Sequence, residues 1–161
     1  SDSAKYFHMA HAKNVIHRKA KGDWLCNLDA DNFLTLRFLE TVLSFKKEEI
    51  SFGRGGCSGR ICLRRDLFYS LGGYDEEFQG WVMDDKDLLY RAVHGFQAFP
   101  VDISNLAPFI EHGEEGRVEH YEVKDPEVSW EKNRKRHFLR EGFIANRGVE
   151  WGVMELNCLS V

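Results

Sequence analysis

The chain has 161 residues and a formal net charge of −4, with 43% hydrophobic and 30% charged side chains, a length and balance ordinary for one soluble globular domain with a real core. The acidic balance argues against a general nucleic-acid binder, and no run approaches the roughly 18 apolar residues of a membrane span or the pattern of a leading signal peptide. Cys26, Cys57, Cys62 and Cys158 have no CxxC or zinc-type spacing, so reduced thiols and a cytoplasmic setting are expected, with a membrane surface as the other setting considered.

Residues 6–21 read as a helix, with His8, His11 and Lys13 around Ala10, Ala12, Val15 and Ile16, stopped by Gly22. His8, His11 and His17 invite a metal reading, but neither spacing is the i, i+4 pair of a zinc helix, so the face reads as merely polar. Trp24 to Leu28 is an apolar run after a Gly22-Asp23 turn signal and is expected to be a buried strand. Cys26 within it reads as a small buried hydrophobe.

That strand runs into Asp29-Ala30-Asp31-Asn32. If the extended backbone persists through Asp31, a period of two points both carboxylates the same way. In an open α/β sheet that end faces the ligand crevice. Converging carboxylates repel unless a cation or hydrogen-bond donors stand between them. Two readings stay open: a divalent metal holding a phosphorylated ligand, or a solvated turn in which Asp31 or Asn32 caps the next helix.

Residues 34–47 form a second amphipathic pattern, with Leu36, Leu39, Val42 and Leu43 on one stripe and Lys46 and Lys47 in the last turn. Phe52-Gly53-Arg54-Gly55-Gly56 reads as a mobile connection, since it lacks the P-loop Lys-Ser/Thr and any GxGxxG pattern. Residues 58–63 are expected as a strand and 66–71 as a short helix stopped by Gly72-Gly73. The loop that follows carries Tyr74, Phe78 and Trp81 into a helix beginning near Asp84, with Leu88, Leu89, Ala92, Val93 and Phe96 buried and Asp87–Arg91 as an i, i+4 pair on the exposed side. Asp84 and Asp85 at its start read either as an N-cap with a first-turn acid or as a general base at a cleft rim beside aromatics suited to sugar faces.

Residues 97–101 are expected as a strand, and Phe109-Ile110-Glu111-His112-Gly113 as another ending at a histidine. Residues 127–141 look helical, and the basic run at 132–137 reads as a solvated face. Residues 142–161 carry no clear pattern.

At this point two stretches together resemble one family. Gly22-Asp23 … Leu28-Asp29-Ala30-Asp31 resembles the aspartate-x-aspartate strand of glycosyltransferases with the GT-A fold, especially family 2, and Ala12-Lys13-Asn14 … Ala20-Lys21-Gly22 resembles the helix before it. Gly72-Gly73-Tyr74-Asp75-Glu76 … Gly80-Trp81 … Asp84-Asp85-Lys86-Asp87-Leu88 … Arg91 is similar to the GGxD…GWGxED-D-L/I…R segment of galactosyltransferase-like members. The two stretches cover residues 12 to 96.

The resemblance implies an α/β GT-A sandwich with a mixed, mostly parallel sheet. It implies that Asp31 ligates Mn²⁺ or Mg²⁺ holding the diphosphate of a nucleotide sugar, a UDP-sugar first, and that Asp29 meets the ribose or the metal's water shell. Such a metal suits hard carboxylate and phosphate oxygens and neutralises the leaving diphosphate. By the same resemblance Asp85 is the base that takes the proton of a glycan, lipid or protein hydroxyl, Asp84 binds hydroxyls, Trp81 packs on the sugar, Asn14 belongs to the donor side and His112 completes the metal site. A carboxylate base without a covalent intermediate implies an inverting single displacement.

The sequence also departs from the family. Asn32 replaces a common acid, Val82-Met83 replace small residues, and Met83 is expected to narrow the donor pocket. A GT-A domain normally opens with a βαβ unit that binds the nucleotide base, and against that pattern this unit is expected to be absent here. Residues 1–161 are therefore expected to be one GT-A-like catalytic domain, or its C-terminal part, with 113–161 as a charged extension and the missing portion supplied by a further N-terminal domain or a partner. Two other functions remain: a phosphohydrolase with Asp29 as nucleophile and Asp31 as acid/base, for which Phe33 and Lys86 are poor matches, and a non-catalytic sugar- or nucleotide-binding fragment.

Overall fold

A computed structural model describes residues 6–54, 59–110 and 118–154. In chain order its elements are α1 (Met9–Lys19), β1 (Trp24–Asn27), α2 (Leu36–Leu43), β2 (Glu49–Phe52), β3 (Ile61–Arg64), α3 (Arg65–Ser70), α4 (Asp84–Phe96), β4 (Phe99–Asp102) and α5 (Pro126–Leu139). The strands form two ladders. β1 pairs antiparallel with β3, and β2 pairs parallel with β4 across a helical crossover that includes α3 and α4. Ser51 joins the ladders, its hydroxyl donating to Arg60 O (3.0 Å) and accepting from Cys62 N (2.6 Å). The arrangement is mixed α/β as expected, but among the described residues the sheet is not mostly parallel: one ladder runs each way.

Alternation along β1 and β3 sorts side chains to two faces. Leu25, Ile61 and Leu63 enter a cluster with Ala10 of α1, Phe68 of α3, and Leu88 and Ala92 of α4. Cys62 enters a second cluster with Phe38 and Val42 of α2, Ile103 and Ala107. Each fully buried Leu, Ile or Phe contributes about 1.5–3 kcal/mol, so helices are held to both faces. No helix among the described residues is long and apolar enough to cross a membrane.

Several local expectations shift. α1 stops at Lys19, where Ala20 is already extended, before Gly22 is reached. In α2 the buried pair is Phe38 and Val42, while Leu36, Leu39 and Leu43 are exposed. The helix is capped by Thr35, whose Oγ1 accepts from Phe38 N (3.1 Å), and not by Asp31 or Asn32. Gly72 and Gly73 do end α3, both with positive φ (72° and 69°), and a Cβ at Gly72 would run into the Ala145 carbonyl. Asp125 caps α5 with Pro126 in its first turn.

The pair expected on an exposed face is the most buried ion pair among the described residues. Asp87 and Arg91 are both fully buried and joined at 2.7 Å. Arg91 also donates to Leu71 O (2.8 Å) and Gly73 O (2.7 Å). From α5, His137 Nδ1 lies 2.9 Å from Asp87 Oδ1, Arg140 donates to the same oxygen, and Arg136 holds the buried Asp75 at 3.0 Å. Part of the basic run at 132–137 is thus spent on buried acids. The segment after α5 docks on the same loop, with Ala145 N donating to Leu71 O (2.8 Å) and Asn146 Nδ2 to Gly72 O (2.8 Å) and Tyr74 O (2.7 Å).

Candidate active site

α4 begins out of a strained turn. Val82 and Met83 both have positive φ (75° and 82°), a conformation that costs a non-glycine residue about 1–3 kcal/mol. The buried Asn133 of α5 holds the turn: its Nδ2 donates to Gln79 O and Val82 O (both 2.9 Å) and its Oδ1 accepts from Gln79 N (3.1 Å). Met83 O accepts the first helical bond, from Asp87 N (2.8 Å). Met83 is therefore the N-cap, and Asp84 and Asp85 lie within the first turn, where the helix dipole favours negative charge.

Lys13 of α1 reaches both acids. Its Nζ donates to Asp84 Oδ2 (2.7 Å) and to Asp85 Oδ1 and Oδ2 (2.8 and 2.9 Å), and lies 4.9 Å from the centre of the Tyr74 ring. All three charged side chains are largely buried. Burial, followed by the Asp84 charge, raises the Asp85 carboxyl to about 7 against the pull of Lys13. Burial also pulls the Lys13 ammonium down, but the two carboxylates outweigh it and hold the group above the ordinary lysine value. The buried Tyr74 hydroxyl interacts with Asp85 without closing a hydrogen bond of ordinary geometry.

Asp29 faces this cluster across Gly59. A Cβ placed on Gly59 would stand 3.4 Å from Asp85 Oδ2 and 3.5 Å from Asp29 Oδ2. Its φ is outside the left-handed region, so what glycine supplies here is open space between two carboxylates. β3 delivers Gly59 to this place, and Asn27 Nδ2 fixes it by donating to Gly59 O (2.8 Å).

The two aspartates of the DxD stretch do not follow a period of two. β1 ends at Asn27, and Asn32 N donates to Asp29 O (3.1 Å), so Asp29 to Asn32 is a tight turn. Asp31 Oδ1 accepts from Asn32 Nδ2 (2.7 Å), Asn32 Oδ1 accepts from the buried Arg60 Nε (2.7 Å), and Asp31 O accepts from Ile110 N (3.0 Å). Asn32 bridges antiparallel to Phe109, which brings the chain just before His112 alongside Asp31. His112 itself lies outside the described residues.

Asn14 is fully buried. Its Nδ2 donates to Tyr74 O and Glu76 Oε1 (both 2.8 Å) and its Oδ1 accepts from Tyr74 N (2.8 Å), which fastens α1 to the loop before Trp81. Half-buried Trp81 lines an open groove of about 410 Å³ with Val82, Pro126, Glu127, Trp130 and Glu131. His17 is a core histidine, stacked on Phe68 at 4.8 Å and pushed down by burial, while His11 pairs with Glu76 at 3.0 Å.

Sequence reasoning missed Lys13, Gly59 and Asn133 as site residues. Each acts on partners far along the chain, so no local spacing marks it.

Carboxylate oxygens of Asp29 and Asp85 flank the position that a Cβ on Gly59 would take, and such oxygens suit a hard cation. Among the described residues, however, no three His, Cys, Asp or Glu side chains are gathered to hold one.

No protein-family model and no curated protein matches the chain. Among solved structures, the catalytic domain of Drosophila β1,4-galactosyltransferase 7, in complex with xylobiose, is similar with a TM-score of 0.59 at 17% identity. The similarity covers 86% of this chain and 64% of that one, so the chain spans just under two-thirds of that domain. The fold of this chain is thus similar to that of part of this catalytic domain.

Proposed function

We propose that this chain carries the catalytic acids of an inverting, metal-assisted glycosyltransferase that moves a sugar from a nucleoside diphosphate, a UDP-sugar first, to a hydroxyl of a glycan, lipid or protein. The observation that carries this reading is the buried cluster in which Lys13 holds Asp84 and Asp85 opposite Asp29 across Gly59; burial there raises Asp85 to about 7, and a base works best near the operating pH. Asp85 takes the acceptor proton as the hydroxyl attacks the sugar. Lys13 holds Asp84 and Asp85 in place, leaving Asp84 to meet acceptor or sugar hydroxyls. Trp81 and Trp130 offer faces to sugar rings, and Glu127 and Glu131 accept from their hydroxyls.

On the donor side, Asp31 with Asp29, and His112 beyond the described residues, would hold a divalent cation, Mn²⁺ or Mg²⁺, whose chemistry when bound is to neutralise the departing diphosphate. Asn14 enters as a support of the Tyr74–Glu76 loop, because its amide is already engaged there.

A thermal shift tests the donor site. UDP or a UDP-sugar with Mn²⁺ is expected to raise Tm by several degrees at a hundredfold excess over Kd, and the rise should vanish without Mn²⁺ and in Asp31→Asn. No shift with any nucleotide would remove the donor site from this chain. Gly59→Val should weaken the same response about tenfold in Kd by filling the space between Asp29 and Asp85. An unchanged Kd in that variant would mean the ligand sits elsewhere.

The same cluster admits a second reading, a phosphohydrolase, because a lysine beside paired acids faces Asp29 as a nucleophile would require. The fold favours the transferase. Asp29→Asn abolishing phosphate release, with no sugar transfer by the parent chain, would favour the hydrolase.

A further inference from the structure

Cys26 and Cys62 stand opposite each other in the antiparallel β1–β3 ladder. Facing residues there have Cα atoms about 4.5–5.5 Å apart and side chains on one face, within the roughly 4.4–6.8 Å that a disulfide spans. The two thiols influence each other's acidity. Their surroundings differ. Cys62 is fully buried in the cluster with Phe38, Val42 and Ile103, whereas Cys26 is exposed, contrary to the expectation of a buried hydrophobe.

We propose that Cys26 and Cys62 are a cross-strand dithiol that closes to a disulfide by exchange with a small-molecule disulfide such as oxidised glutathione. The Cys26 thiolate attacks one sulfur of that disulfide, breaking its S–S bond, and the small thiolate that leaves takes up the Cys26 proton. Cys62 then attacks Cys26 Sγ in the mixed disulfide, and the second small thiolate leaves with the Cys62 proton. The protein loses two electrons and two protons, and the small disulfide becomes two thiols. The order of attack follows from access and acidity. The neighbouring Cys62 thiol lowers the exposed Cys26 thiol, and the Cys26 thiol together with burial pushes Cys62 up.

The bond would act close to the candidate site. β1 ends at Asn27, just before Asp29, and Gly59 lies just before β3. Closing the ladder at Cys26–Cys62 would fix the two walls of the Asp29–Gly59 cradle. The thiol chemistry itself does not depend on the transferase reading.

The test incubates the full chain in glutathione buffers from fully reduced to fully oxidised, blocks free thiols with an alkylating agent, and maps linked peptides by mass spectrometry without reductant. A Cys26–Cys62 peptide is expected in the oxidised buffers and should disappear with dithiothreitol. The oxidised form should melt roughly 5–10 °C above the reduced one, and Cys62→Ala should trap glutathione on Cys26. The proposal is overturned if oxidised wild type carries glutathione on Cys26 with Cys62 still alkylated. It is equally overturned if Cys26 links to Cys57 or Cys158, or if both thiols stay alkylatable in the most oxidising buffer.

Discussion

Replacing Asp85 by asparagine is expected to lower sugar transfer about 10²–10⁴-fold, the usual worth of a positioned base, without lowering the melting temperature at pH 8. Asn keeps the shape and removes the charge whose ionisation the folded state resists. The direction follows from the raised value. Asp85 sits at about 7 when folded against the ordinary 3.8, so the folded state binds this proton more tightly than the unfolded chain does. Its contribution to stability is therefore full below about pH 4 and is lost as pH rises through 7. Turnover moves the opposite way, rising tenfold per pH unit below 7 and flattening above it. Lys13 keeps Asp84 as a partner in the variant, so no buried cation is stranded. A flat rate profile between pH 5 and 8, or full activity in Asp85→Asn, would take Asp85 out of the base role. A melting point well below wild type would mean its charge is needed to hold Lys13.

Arg91→Met is expected to cost about 3–5 kcal/mol, on the order of 10 °C in Tm for a chain of this size. The guanidinium is fully buried and serves three acceptors at once: Asp87 Oδ2, Leu71 O and Gly73 O. Methionine fills the volume but takes the Arg91 donor from Gly73 O, leaves Leu71 O with Ala145 N alone, and leaves Asp87 dependent on His137 and Arg140. Arg91→Lys should recover little, because one ammonium cannot match a planar fork. Urea unfolding measures the difference. A midpoint within about 1 kcal/mol of wild type would show that the network is dispensable. Because the loop from Leu71 to Gly73 leads to Tyr74 and on to Trp81, the same loss is expected to loosen the candidate site.

Much of the site was legible because its chemistry is short-range. Asp84 and Asp85 open an amphipathic helix, Gly72-Gly73 stop the one before, and Trp24 to Leu28 reads as a strand from its apolar run alone. Even so, the same spacing served two outcomes. Asp87 and Arg91 are i, i+4 whether they face water or the core, and the choice was made by the loop at Leu71–Gly73 and by α5 closing over them. Asp29 and Asp31 would share a direction only in extended chain, and a backbone bond from Asn32 N to Asp29 O folds them into a turn instead.

The sequence by itself determined periodicity, the stops at glycine pairs, and the acids at the start of α4, since each depends on neighbours within a turn or two of the chain. The tertiary structure alone decided which charges lose their water and which partners replace it. Lys13 meets Asp84 across 71 positions, and Asn133 holds the Val82 carbonyl across 51. Coulomb and desolvation energies depend on distance and burial in space. The raised pKa of Asp85 is therefore a property of the assembled site rather than of the segment that carries it.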